Sequence, residues 1–147
     1  MYYRQTLSYL TRKSAEGIDI TEQVNAIVAQ SGVENGVAVI EAPHSTAAVL
    51  ETTHCAEVID DICEELERIV PSRIDWIHQE TPEDSAGHVK CALFGNSITA
   101  IVENGKLLSA GKIFYYLMEY DGPRHRKVHV AVLGQKKEEH THDAQGV

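Results

Sequence analysis

The chain has 147 residues, of which 43% are hydrophobic and 24% charged, and this balance predicts one ordinary globular domain. With 22 acidic and 13 basic residues the formal net charge is −9, which disfavours nucleic-acid binding and leaves a small ligand or a metal as the better expectation. No apolar run reaches the roughly 20 residues that span a bilayer, and the first ten residues lack the basic start and continuous apolar segment expected of a signal peptide. The three cysteines contain no C-x-x-C pair, so we expect reduced thiols in a cytoplasmic protein without membrane association.

The first part of the chain predicts two strands, a helix and a buried strand. Residues 2–11 are rich in aromatic and polar β-forming residues, which indicates a half-exposed strand, and a shorter piece follows at 18–20. Thr21 can cap a helix that ends before Gly32. Residues 36–41 carry almost no polar side chain, which predicts a strand covered on both faces and therefore central.

The segment Glu41–Leu50 follows this central strand directly. Pro43 lacks an N–H for a sheet ladder and holds its neighbour extended, so it indicates the end of the strand. His44 is then expected where a buried strand reaches the surface, and loops at such places often carry functional side chains. For this histidine taken alone, a hydrogen bond to a neighbouring backbone group is the plainer interpretation.

The middle of the chain predicts two helices joined by a long connection. Apolar residues recur every three or four positions over 58–69, which indicates an amphipathic helix ending before the proline that follows. Residues 71–87 lose this pattern, and long connections in compact domains are often functional. A short helix over 86–94 would place His88 and Cys91 on one face.

The last part of the chain predicts strands. The Asn-Gly pair at 104–105 indicates a hairpin, because both central positions of a type I′ turn need positive φ. Strands over 113–120 and 127–133 would complete an antiparallel meander. The predicted fold class is α/β of the α+β type: a single compact domain over 1–134, with a mainly antiparallel sheet covered by helices. A flexible polar C-terminal tail is expected over 135–147.

Three histidines stand where the chain is expected to turn, namely His44, His78 and His88. Neutral imidazole is the commonest nitrogen ligand of metals, and three protein ligands leave a position open for water or substrate. No spacing motif joins the three residues, so the residues alone leave two alternatives open: a shared metal site, or three separate structural histidines.

Several motifs resemble those of one known family. His44-Ser-Thr-Ala-Ala-Val49 is similar to its H-T-[ST]-A-[AS]-L segment, and Asp84-Ser-Ala-Gly-His88-Val-Lys90 to its D-x-x-x-H-[LIV]-K segment. Further matches follow in the same order at 95–97, 104–107 and 119–126. From about Tyr3 to Gly134 the chain resembles the YjbQ-like family, which is often labelled secondary thiamine-phosphate synthase.

The resemblance implies a homotrimer with a pocket, built from the histidine segments, that holds a divalent metal. By position it implies His44, His78 and His88 as metal ligands, with His44 and His88 also as catalytic residues. It further implies binding of a small phosphorylated molecule or anion by Lys90, Ser97, Arg124 and Arg126, whose charged donors suit that task. Arg124 and Arg126 could equally form surface ion pairs. A histidine-rich ligand set favours zinc over magnesium.

Two departures from the family pattern stand beside these matches. Thr52-Thr53 replaces the usual Asn-Glu pair, so a carboxylate is missing, for which Glu51 and His54 are the candidate substitutes. Ala110–Ile113 replaces Gly-Thr-Trp-Gln, so a tryptophan surface is missing as well. The expected function is a metal-assisted small-molecule enzyme with weak thiamine-phosphate-synthase-type activity on phosphorylated substrates. The alternatives are a trimeric metal- or anion-binding protein without catalytic turnover, and a purely structural subunit.

Overall fold

The computed structural model describes residues 1–78 and 80–138. In chain order the elements are β1 Tyr2–Leu10, β2 Glu16–Asp19, α1 Thr21–Gln30, β3 Val33–Glu41, β4 Ala47–Thr52, α2 Ala56–Ile69, α3 Pro82–Phe94, β5 Ser97–Glu103, β6 Lys106–Leu107, β7 Phe114–Glu119 and β8 His125–Lys136. In this described part of the chain, two antiparallel sheets and three helices form one α+β domain, which confirms the predicted fold class. Within the described ranges, no helix is long and apolar enough to cross a membrane.

The larger sheet has the strand order β1-β8-β3-β5-β6. The strand predicted to be central is central, because β3 pairs antiparallel with both β8 and β5. Side chains alternate along β8, so that Val128, Val130 and Val132 all point inward and are fully buried. They pack with the apolar face of α1 and one face of the smaller sheet to form the main core.

The smaller sheet has the order β2-β7-β4 and is covered on both faces. Tyr115 and Leu117 of β7 point into the main core, whereas Tyr116 and Met118 point into a second apolar cluster with α2. Gly17 lets α2 approach closely, since a Cβ at this position would lie 2.5 Å from Cγ2 of Ile59. The smaller sheet is thus the middle layer between the larger sheet and α2.

The predicted C-terminal meander is wrong. β7 lies between β2 and β4 in the smaller sheet, whereas β8 lies between β1 and β3 in the larger one, so the turn after β7 crosses from one sheet to the other. The cause is burial, because β7 is buried on both faces and therefore needs a packed layer on each side. A hairpin with β8 would place β7 in the larger sheet and leave one of its faces uncovered. The β5–β6 hairpin is confirmed, with φ of 53° at Asn104 and 76° at Gly105.

Other elements differ from the sequence expectation as well. β4 was not predicted, and it pairs with β7 directly after the His44 segment. α3 begins four residues before the predicted 86, because Thr81 caps it by accepting a hydrogen bond from the backbone N–H of Asp84. Of the predicted tail over 135–147, the first two residues belong to β8, and residues 139–147 lie outside the described residues.

Candidate metal and anion site

A cleft of about 510 Å³ opens where the β3–β4 connection, the start of α3 and the β7–β8 turn meet. It is lined by Pro43, His44, Ser45, Thr46, His78, Glu80, Asp84, His88, Arg124 and Arg126. Gly87 allows α3 to lie against the β3–β4 connection, since a Cβ there would lie 3.3 Å from Thr46. The fold therefore brings together all three predicted histidines and both predicted arginines.

His78, Asp84 and His88 converge on one wall of this cleft. Their ligand atoms all lie within 4.8 Å of one another. Oδ2 of Asp84 is 3.1 Å from Nε2 of His78, and Oδ1 is 3.1 Å from Nε2 of His88. Asp84 and His88 are four residues apart on α3 and so share a face, while the hydroxyl of Ser85 donates to the carbonyl oxygen of His78 and fixes the incoming loop.

The donor set of this cluster fits a divalent transition metal. Two imidazole nitrogens and one carboxylate oxygen are ligands that zinc accepts readily, and three protein ligands leave coordination positions for a substrate. The Asp84 side chain is only 12% exposed, and each of its two oxygens lies beside a histidine nitrogen of the cluster. Asp84 was missed by sequence reasoning, although its i, i+4 spacing to His88 was a usable signal.

His44 lines the cleft but lies outside this cluster. Its Nε2 accepts a hydrogen bond of 2.9 Å from the backbone N–H of Lys127, so the proton of the neutral ring is on Nδ1. Burial, and next the neighbouring Arg126 guanidinium, lower the pKa of His44 and favour this neutral form. In this arrangement the ring has no lone pair for a metal, and it offers the cleft a hydrogen-bond donor.

Arg126 forms a buried ion pair at the floor of the cleft. Its Nε donates to Oε2 of Glu119 at 2.7 Å, and Nη2 donates to Oε1 of Glu119 and, at 2.8 Å, to the hydroxyl of Thr46. The hydroxyl of Thr11 and the backbone N–H of Asp121 complete the carboxylate's partners. Burial by itself raises the pKa of Glu119, but Arg126 and these donors hold it below its ordinary value. Arg126 therefore positions the segment that carries His44.

The remaining predicted anion ligands differ in access. Arg124 donates to the carbonyl and carboxylate oxygens of Asp121, each at 2.8 Å, but its side chain is 52% exposed. Among the described residues, Nη1 of Arg124 has no partner. Lys90 lies outside the cleft, where its buried ammonium contacts Oε2 of Glu67 at 2.8 Å. Ser97 also lies elsewhere, opposite Glu41 on the larger sheet.

The departures from the family pattern lie away from this cleft. The carbonyl oxygen of Thr53 accepts a hydrogen bond from the hydroxyl of Tyr116 at the far end of β4. His54 stacks on Phe114 with ring centroids 4.7 Å apart and lines a separate cleft, and Glu51 lines a third. Neither candidate substitute reaches the cluster within one chain. The carboxylate that does line the cleft beside Asp84 is Glu80, which sequence reasoning also missed.

Comparisons with known proteins agree with this fold. Residues 5–135 match the profile of the family described as UPF0047 protein YjbQ-like. A UPF0047 protein of Methanocaldococcus jannaschii is 34% identical over 127 residues, covering 86% of this chain and 91% of that protein, and UPF0047 protein YugU of Bacillus subtilis is 32% identical over 134 residues, covering 88% and 98%.

Solved structures give the same result. The crystal structure of a YbjQ-like protein of unknown function from Sulfolobus solfataricus superposes with a TM-score of 0.88 at 30% identity, covering 92% of this chain and 99% of that chain. That of an uncharacterized conserved protein of the yjbq/upf0047 family from Clostridium acetobutylicum gives 0.81 at 37% identity, covering 88% and 99%. This chain belongs to the YjbQ-like UPF0047 family.

Proposed function

We propose that the protein is a metal-assisted enzyme acting on a small phosphorylated molecule. The observation that supports the proposal is the convergence of His78, Asp84 and His88, with ligand atoms within 4.8 Å, on the wall of an open cleft. These three residues would hold a divalent metal, with zinc preferred over magnesium because two of the ligands are imidazoles. A bound metal would supply Lewis-acid polarisation of a phosphoryl oxygen.

The chain's own residues have distinct tasks in this proposal. His44 donates from Nδ1–H to an oxygen of the ligand, since its Nε2 is held by the backbone of Lys127. Arg124 retains an accessible guanidinium edge for a phosphoryl oxygen. Arg126 positions His44 indirectly, because it donates a hydrogen bond to Thr46 in the same β3–β4 connection. His88, predicted as both ligand and catalytic residue, is assigned the ligand role.

Zinc binding to chelator-treated protein tests the metal centre. Loss of a residue that only supports a metal ligand lowers metal affinity by roughly 10- to 100-fold. We expect H78A, D84N and H88A, which remove the ligands themselves, each to lower zinc affinity by more than this. The matched controls are H44A, in the same cleft, and H54A, in a separate one, and both should keep the parent affinity. An unchanged zinc affinity in H88A would contradict the proposed metal centre. A loss of zinc affinity in H44A equal to that in H88A would show that His44 is a ligand as well.

The finer proposal is the thiamine-phosphate-synthase-type reaction, in which a pyrimidine diphosphate is joined to a thiazole phosphate. Such a step needs positive charge where pyrophosphate departs, and magnesium held by carboxylates normally provides it. The His78–Asp84–His88 cluster contributes a single carboxylate, so the geometry supports the metal centre more strongly than this substrate pair. Purified protein incubated with both precursors, with zinc, magnesium or no metal, tests it: absence of product in every case removes this reaction.

A metal- or anion-binding protein without turnover is the second candidate. It is favoured by the contacts that occupy Nε2 of His44, which was predicted to be catalytic, because a ring held in this way is less free to transfer protons. Lys90 and Arg126, predicted to bind the anion, are likewise engaged by carboxylates, which leaves Arg124 for that task. Zinc and phosphate binding without turnover of any phosphorylated substrate would support it. Both proposals include the homotrimer that the family resemblance implies and the cytoplasmic location expected from the sequence.

A further inference from the structure

We infer that this cleft binds small hydrophilic anions, such as the phosphate ester of a short polyol, and gains no affinity from an aromatic ring on its ligand. The inference rests on the proposed function, because it names the ligand class of the same cleft. It departs from the phosphorylated heterocycles that the family label implies. Three features of the cleft carry it: its lining, its free donors and its charge.

The lining offers no apolar wall. Of the described residues that line the cleft, Pro43 alone has a wholly apolar side chain, and the others are histidine, serine, threonine, aspartate, glutamate and arginine. Sites for ring-bearing ligands are usually lined by apolar side chains and by the large rings of tryptophan, tyrosine and phenylalanine, which stack on the ligand. The three imidazoles of this cleft are smaller polar rings, and their Nε2 atoms contact Asp84 or the backbone of Lys127. At about 510 Å³ the cleft has room for a heterocycle, so its chemistry and not its size sets the preference.

Trp76, which lies two residues before the ligand His78, does not supply such a wall. The guanidinium of Arg73 lies 3.8 Å from the centroid of its ring, and the indole N–H donates to the carbonyl oxygen of Pro71. One face and the polar edge of this indole are therefore used inside its own loop. Trp76 is not among the residues that line the cleft.

The polar groups that remain available suit anionic oxygens. Nδ1 of His44 carries a proton that no contact in the described part of the chain uses, since the ring's hydrogen bond there is made by Nε2. The hydroxyl of Ser45 and Nη1 of Arg124 have no partner within residues 1–78 and 80–138. Donors of this kind bind phosphate or carboxylate oxygens, and the guanidinium contact is charge-assisted.

The charges make anion binding depend on the metal. Arg124 and Arg126 are each paired with a carboxylate, of Asp121 and Glu119 respectively. Glu80 and Asp84 add negative charge, so the cleft without a cation should still bind an anion, but more weakly. A divalent cation beside Asp84 offsets that negative charge, and we expect zinc to raise phosphate affinity by roughly tenfold or more.

Isothermal titration with inorganic phosphate, glycerol 3-phosphate and the phosphorylated hydroxyethylthiazole tests the inference, with and without zinc. The two esters should bind within about threefold of each other, whereas stacking on an aromatic wall would favour the thiazole by roughly tenfold. R124Q should weaken both esters by roughly tenfold and leave zinc affinity unchanged. R4Q removes the same charge from an exposed position on β1, opposite Ala131, and should change nothing.

Each outcome bears on one proposal. A tenfold preference for the thiazole ester, equal losses in R124Q and R4Q, or no binding of either ester in any state would overturn the ligand class. Failure of zinc to bind would overturn the metal centre instead. The titrations without zinc would still decide the ligand class in that case, because the ester preference and the effect of R124Q are measured there as well.

Discussion

Arg126 lies in a recognisable motif, yet its contacts give it a structural task. Its guanidinium is buried against a carboxylate that is itself fully buried, and Thr11, Asp121 and Thr46 complete the hydrogen bonds. Replacement by methionine would leave the Glu119 carboxylate buried without its counter-charge. We expect R126M to lower the free energy of unfolding by about 3–5 kcal/mol, measured by urea denaturation.

The double variant R126M/E119L is the control for this pair. It removes both charges, so its loss of stability should be smaller than that of R126M alone, because no buried charge is left unpaired. A loss below about 1 kcal/mol in R126M, on the scale of an exposed ion pair, would contradict the structural role. In that case Arg126 would again be available as the anion ligand that the motif suggested.

The histidines show what the sequence could and could not reveal about the site. Motif resemblance singled out His44, His78 and His88, and the structure places all three in one cleft. The sequence does not show that Lys127, 83 residues along the chain, donates its backbone N–H to His44. Local spacing could have identified Asp84 as a ligand. The hydrogen bond that engages Nε2 of His44 depends instead on how distant strands pair, which local spacing does not show.

At the scale of elements, the contact between Lys90 and Glu67 joins α3 to α2. The Lys90 side chain is 6% exposed and that of Glu67 is 49% exposed, so the two partners differ in their access to water. E67A leaves the buried ammonium of Lys90 without its partner and should lower the free energy of unfolding by about 1–3 kcal/mol. K90M fills the same space and leaves a carboxylate that water can reach, so it should cost less than about 1.5 kcal/mol.

Acid provides the control for this contact. Burial by itself raises the pKa of Glu67, but hydrogen bonds from Lys90 and Ser72 lower it below the ordinary value. A lowered folded pKa means that the contact stabilises the protein at neutral pH and that this stabilisation is lost as the pH falls through the folded pKa. The difference in free energy of unfolding between E67A and the parent should therefore become smaller in acid. A larger loss in K90M than in E67A, or altered zinc affinity in either variant, would contradict the assignment.

The elements that the sequence predicted well are those fixed by local chemistry. The β5–β6 hairpin follows from the positive φ that Asn104 and Gly105 adopt, and α2 follows from its apolar period. β4 and the division of β7 and β8 between two sheets could not be predicted in the same way. An apolar strand pattern reports burial but does not say which distant strand will be its neighbour.

At the scale of the whole molecule, one face of the larger sheet is not covered by any other part of residues 1–78 and 80–138. α1 packs on the inner face, while Tyr2, Leu133, Val37 and Ile101 occupy neighbouring register positions on the outer one. Tyr2 is 62% exposed, Ile101 56% and Leu133 38%, and Leu108, bonded through its backbone N–H to Ile101, is 60% exposed. A row of apolar side chains of this kind is typical of a surface that another protein covers.

We expect a further copy of the chain to cover this row, because the family resemblance implies a homotrimer. Light scattering on the parent should then give three times the chain mass of 16.3 kDa. I101E places a charge in the row and should shift the protein to a single chain, because an unpaired charge buried in an interface costs several kcal/mol. L93E makes the same change at a 62% exposed leucine of α3 and should keep the trimer. A parent of single-chain mass, or dissociation in L93E but not in I101E, would place the interface elsewhere or remove it.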